Sequence, residues 1–250
     1  RINSDLVQDL RSTEIPIVTG YSNNRPIQEL FKWPYYPLIS SKNNHPITNS
    51  LDGIKSDFIS SIDTLKNNIK KTILLESSNN SRLAQAPSKV SLGIIENPPP
   101  VESYNKENIP MAVLLTGEFT SVFKDRIIPK NNNINFKKSS DSTSIIIVSD
   151  GDIIANEVSS SGNAFPLGYD RYINYTFDGN KKFIINAIQY LNDHNGLINL
   201  RSKNIKLRLL NNEKISNHRT LITMINLILP ILIFLFLIFI INQKNNLKYD

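Results

Sequence analysis

The apolar and polar positions divide this chain unevenly. Residues 221–241 (LITMINLILPILIFLFLIFII) carry no charge and almost no polarity, whereas everything before them alternates. At about 1.5 Å per residue that run makes a helix roughly 31 Å long, enough to cross the hydrocarbon core of a bilayer. A buried core helix is normally shorter and keeps a polar stripe, so the pattern predicts a transmembrane helix. Its irregularities are Asn226 and Pro230. A proline is tolerated in such a helix when neighbours re-satisfy the freed carbonyl. Asn226 lies near one end, where two uses are open: contact with headgroups, or a hydrogen bond to a partner helix. The polar tail 242–250, with Lys244 and Lys248, argues against a cleaved lipid-anchor signal.

Upstream, the pattern predicts an α/β domain: a mixed β-sheet with a few packing helices. Ile54, Phe58 and Ile62 among Lys55, Asp57 and Ser61 read as a half-buried strand. Segments 71–77 (KTILLES), 88–95 (SKVSLGII) and 111–123 (MAVLLTGEFTSVF) read as further strands. The β-branched run 144–149 (SIIIVS) has the form of a strand buried on both faces. Phe183, Ile184, Ala187, Ile188 and Leu191 share one stripe of a helix over 182–191, with Asp178 or Asn180 as its cap.

Three stretches read as loops: 97–110, stiffened by Pro98, Pro99 and Pro100; the Asn/Lys/Ser-rich 129–143; and 155–179, whose aromatics suggest packing. Four aromatics between Phe31 and Tyr36 anchor a core or a loop more readily than they form a ligand platform. The expected organisation is therefore a soluble α/β domain over 1–212, a juxtamembrane segment 213–220, the span 221–241 and a short polar tail 242–250.

Composition narrows the chemistry. There is no cysteine among 250 residues, which removes disulfides, thiolate metal sites and cysteine nucleophiles. No GxGxxG and no GxxxxGK[ST] occurs, so no nucleotide is expected on this chain. Ile (37) and Asn (33) are over-used along the whole length, as an AT-rich genome would produce. The net charge of +6 comes from scattered lysines such as Lys66, Lys70, Lys124 and Lys137, not from a clustered stripe; a solvated surface explains it better than nucleic-acid binding. The first residue is Arg1 with no leader pattern behind it, so the sequence reads as the C-terminal piece of a longer protein. Bases before the span (Arg201, Lys203, Lys206, Arg208, Lys214, Arg219) outnumber the two after it, but long domains translocate regardless of such counts, and orientation stays open.

Candidate chemistry is sparse. Asp150 and Asp152 follow the 144–149 strand, and ligands of open α/β sheets bind at strand ends, so the pair is a candidate for a small ligand or cation. The competing reading is that the two carboxylates shape a tight Asp-Gly turn and cap the next helix. His45, His194 and His218 have no metal-binding neighbour at helical spacing, and no nucleophile elbow is present. No metal, cofactor or catalytic set is expected.

Several words occur in order: FKWPYYPL at 31–38, HPI at 45–47, SIDTLK at 61–66, KTILL at 71–75, NIPMAVLL at 108–115, FTSVF at 119–123, VSDGD at 148–152, GNKKFIINAIQYL at 179–191 and LINLR at 197–201. Together with the terminal span they resemble the C-terminal portion of the GldG family, gliding-motility-associated ABC transporter accessory proteins of Bacteroidetes. The resemblance implies a membrane-anchored, non-catalytic subunit beside a separate ATPase and a separate permease. It implies an inner-membrane location with the large domain in the periplasm. The family pattern supplies no catalytic residues to carry over. Two other functions stay open: an extracytoplasmic domain binding a small ligand near Asp150, and a membrane-tethered hydrolase-like enzyme.

Overall fold

The computed structural model describes residues 1–41, 44–126, 136–193, 195–198 and 218–249. His194, Lys130 and the bases from Arg201 to Lys214 lie outside the described residues, as does most of the expected juxtamembrane segment. The chain divides into two units, residues 1–203 and 204–250.

The first unit opens with β1 (Asp5–Asp9), followed by a long hairpin of β2 (Ser12–Ser22) and β3 (Arg25–Ile39). Asn23 and Asn24 turn it, both with positive φ (48° and 62°), the left-handed pair a two-residue hairpin loop requires. Near the body β3 buries alternate residues, Trp33, Tyr35, Pro37 and Ile39, so the aromatic stretch is a strand whose inward face joins the core. Distally both strands are exposed, with Val18, Tyr21, Ile27 and Leu30 open to solvent.

β4 is only Ile54–Lys55, paired with Ile39 and Leu38 of β3. The longer strand expected through Ile62 does not form, because Phe58 takes a left-handed φ of 56°. Ile59 and Ile62 are nonetheless buried. β5 (Lys70–Glu76), β7 (Pro110–Gly117) and β8 (Thr143–Val148) form an antiparallel sheet in that order, while β6 (Ser81–Gln85) pairs with β1. The central strand is therefore β7, whose Met111, Ala112, Val113 and Leu114 are almost wholly buried. The SIIIVS run, expected to be buried on both faces, is only partly buried, with Ile145 41% exposed; among the described residues it forms β8 with a strand neighbour on one side. A run of β-branched residues reports that a strand is apolar, not how many neighbours it has.

Two further expectations fail. Segment 88–95 forms no strand: it is loop leading into a single helical turn, α1 (Gly93–Glu96), with Leu92 exposed. The 111–123 strand stops at Gly117. The long loop 155–179 contains a miniature hairpin, β9 (Tyr169–Asp170) with β10 (Tyr175–Thr176), and Phe165 stacks on Tyr169 at 4.4 Å. Helix α2 (Asp178–Asn192) places Phe183 and Ala187 in one core with Val7, Ile39, Ile54, Leu74, Leu114 and Ile153. Neither Asp178 nor Asn180 caps it; both lie inside its first turn, which follows Phe177 without a side-chain cap.

The second unit contains α3 (Arg219–Tyr249), 31 residues with Pro230 inside. The helix continues through the polar tail rather than ending at residue 241. Its apolar stretch is long enough to cross a membrane.

Candidate functional site

Three carboxylates of the first unit, Asp57, Glu157 and Asp170, gather around Lys55. β4 delivers this residue into the interior, where its side chain is 8% exposed. Its Nζ lies 2.8 Å from Glu157 Oε1, 3.7 Å from Asp57 Oδ2 and 4.0 Å from Asp170 Oδ2. Glu157 Oε2 in turn accepts from Arg171 Nε at 2.6 Å. The miniature β9–β10 hairpin holds Asp170 in place: Oδ1 accepts the backbone N–H groups of Tyr172 (2.9 Å) and Ile173 (3.4 Å), which turns Oδ2 towards Lys55.

Helix α2 locks β4 from the other side. Asn180 Oδ1 accepts the N–H of Lys55 at 2.9 Å, and Asn180 Nδ2 donates to the Lys55 carbonyl at 2.8 Å and to that of Ile153 at 3.1 Å. A short strand with one neighbour thus gains a substitute ladder from a side-chain amide. Two glycines make this approach possible. Gly168, at φ +82°, has Phe177 O and the Asn180 side chain where a Cβ would stand, and a Cβ on Gly179 would come within 2.6 Å of Gly53 O.

The electrostatics follow from burial. Asp57 is pushed up to about 6, chiefly by loss of hydration and further by Asp150, Asp170 and Glu157, against the pull of Lys55. Burial would raise Glu157 too, but the hydrogen bonds from Lys55 and Arg171 outweigh it and hold Glu157 below its ordinary value. Burial would lower Lys55; Glu157, Asp57 and Asp170 outweigh that and raise it. Tyr36, half-buried beside these acids, is pushed up to about 12. Asp57 Oδ1, Asp150 Oδ2 and Asp170 Oδ2 are buried without a hydrogen-bond partner, which marks a locally acidic and under-compensated interior.

A cavity of about 160 Å³ opens on this cluster, lined among others by Lys55, Asp57, Asp152, Asn156, Glu157 and Tyr169. Asp152 is therefore on its wall. Asp150 is not: its Oδ1 accepts the Asp152 N–H at 2.9 Å, closing the turn before the short 3-10 segment Asp152–Ile154. Burial raises the Asp150 carboxyl, opposed in part by that same N–H. Asn226 is on α3, in the other unit, with its side chain exposed. The carboxylates do not converge as ligands: among the described residues no group of three or more His, Asp or Glu is placed to hold a metal ion.

Sequence reasoning places Lys55 and Asp57 on the solvent side of a strand and gives Glu157, Asp170 and Arg171 no role. Lys55 and Glu157 stand 102 residues apart, and no local pattern connects them. Asn180 does stand out, but as a helix cap.

Residues 1–187 match the family model described as an ABC-type uncharacterized transport system, a stretch that takes in the whole Lys55 cluster and the first turns of α2. No curated protein and no solved structure matches the chain. Because the match covers 187 of the 250 residues, the chain belongs to this ABC-type transport system family, in which it stands as an auxiliary component.

Proposed function

We propose that the chain is a membrane-anchored, non-catalytic accessory subunit of an ABC transport complex, in the GldG line associated with gliding motility. It works beside a separate permease and a separate ATPase subunit, in the inner membrane, with its α/β domain in the periplasm. The observation that carries this reading is α3: one helix of 31 residues, with an uncharged stretch of membrane-crossing length, joined to a domain of an auxiliary transport family. The Lys55 cluster supports a structural use of its charged groups. Lys55 and Glu157 are paired with each other, and nothing in the cluster sets a nucleophile against a base.

The test is recovery of the tagged chain from membranes of its own cells in mild detergent. A multi-span membrane protein and an ATP-hydrolysing subunit should co-purify in fixed ratio. Recovery of the chain alone, or its release from membranes by alkaline carbonate, would overturn the reading. A second reading, binding of a small ligand at the 160 Å³ cavity, is favoured by the unpartnered Oδ1 of Asp57 on its wall. A ligand-induced rise in melting temperature would show it.

A further inference from the structure

Pro230 stands inside α3 and has no backbone N–H, so the helical hydrogen bond that would close on the carbonyl of Asn226, four residues earlier, cannot form. The proline ring also presses on that carbonyl and tilts it away from the helix axis. In water such a group is solvated at once. Here it lies within the uncharged run 221–241, about 8 Å from its start at about 1.5 Å per residue, where hydrocarbon supplies no donor.

The same residue carries a second unmatched group. Asn226 is exposed, and among the described residues nothing pairs with its side-chain amide. Thr223, one turn earlier, differs: its hydroxyl donates to the Arg219 carbonyl at 2.9 Å and so is occupied within its own helix. At about 100° per residue, Thr223, Asn226 and Pro230 fall within about 60° of one another around α3. Every other side chain from 221 to 241 is apolar. The polarity of the span is thus confined to one face. That face offers two acceptors, the freed carbonyl and Oδ1 of Asn226, and one donating group, Nδ2.

We infer that this face of α3 meets the permease, and that a transmembrane helix of the permease brings a side-chain hydroxyl or amide to the depth of Asn226. That group donates to the freed carbonyl and accepts from Nδ2. The contact presupposes the accessory-subunit reading and adds the chemistry its partner must bring. A second copy of α3 fits the face less well. From Pro230 the face continues through Phe234 and Leu237, with no Gly, Ala or Ser in the run. Such small residues are what let two membrane helices approach closely enough for a short amide to reach backbone.

The test recovers the tagged full chain from native membranes in mild detergent and quantifies the permease that accompanies it. Pro230→Leu restores the N–H, closes the Asn226 carbonyl within the helix and should lower permease recovery about threefold or more, the loss of one modest interhelical hydrogen bond. Straightening of the helix is separated by combining Pro230→Leu with Ile231→Pro, which keeps a proline but frees the Leu227 carbonyl, about 100° round the helix. Recovery should stay low in that double variant. The chain has no cysteine, so single introduced cysteines can carry a photoreactive benzophenone. Thr223→Cys and Leu237→Cys, on the polar face, should cross-link to the permease several times more than Ile228→Cys and Leu232→Cys on the opposite face. Full permease recovery in Pro230→Leu would overturn the inference and leave the accessory reading standing. Restored recovery in the double variant would do the same, as would adducts equal on both faces or formed between two copies of the chain. A wild type that brings no permease would overturn both.

Discussion

Asn180 grips Lys55 by both of its backbone polar groups, at 2.9 and 2.8 Å, and thereby fastens the start of α2 to a strand only two residues long. Both residues are buried, so the backbone groups of Lys55 have no bulk solvent to turn to once the amide is gone. Asn180→Ala should cost about 2–4 kcal/mol, because it strands a buried N–H and a buried carbonyl rather than merely deleting favourable contacts. Chemical denaturation of the wild type and the variant at one pH measures this. Asn180→Asp should be comparably damaging, since a carboxylate cannot donate to the Lys55 and Ile153 carbonyls. A loss below about 0.5 kcal/mol, the ordinary range of a surface substitution, would show that the amide is not a structural tie.

Asp57 gives the domain a pH response of definite sign. Its carboxyl titrates at about 6 in the folded chain against an ordinary 3.8, so the folded state favours the protonated form. The stability this contributes is fully present below 3.8 and is lost as pH rises through 6, up to about 3 kcal/mol in all. Glu157 acts oppositely. Its value is depressed, so its contribution is present above the ordinary 4.5 and lost as pH falls through the folded value. Above 4.5 the Glu157 contribution is constant while that of Asp57 falls, so the two together place maximal stability at about pH 4 and a decline from there to about 6. Asp57→Asn should flatten the decline between about pH 4 and 6 in a melting-temperature profile recorded from about pH 3 to 8 and leave the acid limb in place. A profile that rises steadily from pH 5 to 8 would contradict the assignment.

Lys55 holds the 155–177 loop by its ammonium group. Lys55→Met keeps the length of the side chain but leaves Glu157, Asp57 and Asp170 without their shared cation, a loss of about 3–5 kcal/mol where a buried pair is broken. The loop should open before the sheet does. Limited trypsin digestion should then cut after Arg171, on the freed loop, markedly faster than in the wild type. Combining Lys55→Met with Asp57→Asn should recover part of the loss, since one of the stranded carboxylates is removed.

The extent to which this fold is legible in its sequence varies with the range of the interaction. β5, β7, β8 and α2 follow from apolar periodicity alone, because each buries a face whose spacing is local. The β2–β3 hairpin carries a local signal too, Asn23-Asn24 between apolar-rich flanks, but the aromatic cluster beside it dominates the pattern. Strand β8, which among the described residues has one strand neighbour, shows where periodicity ends. Ile145, Ile146 and Ile147 would look the same with one neighbour or two, and only pairing partners distant in the chain decide. The failure over 88–95 has the same cause, since Val90, Leu92 and Ile94 found no strand to pair with.

The site is less legible than the fold. Lys55 and Asp57 resemble any polar pair on a half-buried strand until Glu157 and Asp170 arrive from about 100 residues away or more. Asp150 and Asp152 stand out in the sequence as a turn at a strand end, yet the structure divides them. Asp150 closes the turn and Asp152 alone reaches the cavity. Asn180 carries a signal of the wrong kind, because Asn near a helix start is usually a cap and here it serves another element.

Asn226 tests the accessory-subunit proposal within α3. An amide in an otherwise apolar helix gains by finding a hydrogen-bonding partner on a neighbouring helix, worth about 0.6–2 kcal/mol in measured membrane systems. Asn226→Leu keeps the side-chain size and raises hydropathy, so the chain should remain carbonate-resistant in membranes. Co-purification of the permease should fall about threefold to thirtyfold, which is that energy expressed as an equilibrium constant. Asn226→Gln retains an amide and should keep most of the recovery. Unchanged recovery in Asn226→Leu would assign this side chain to the headgroup region and leave the lateral contact to the apolar faces of α3.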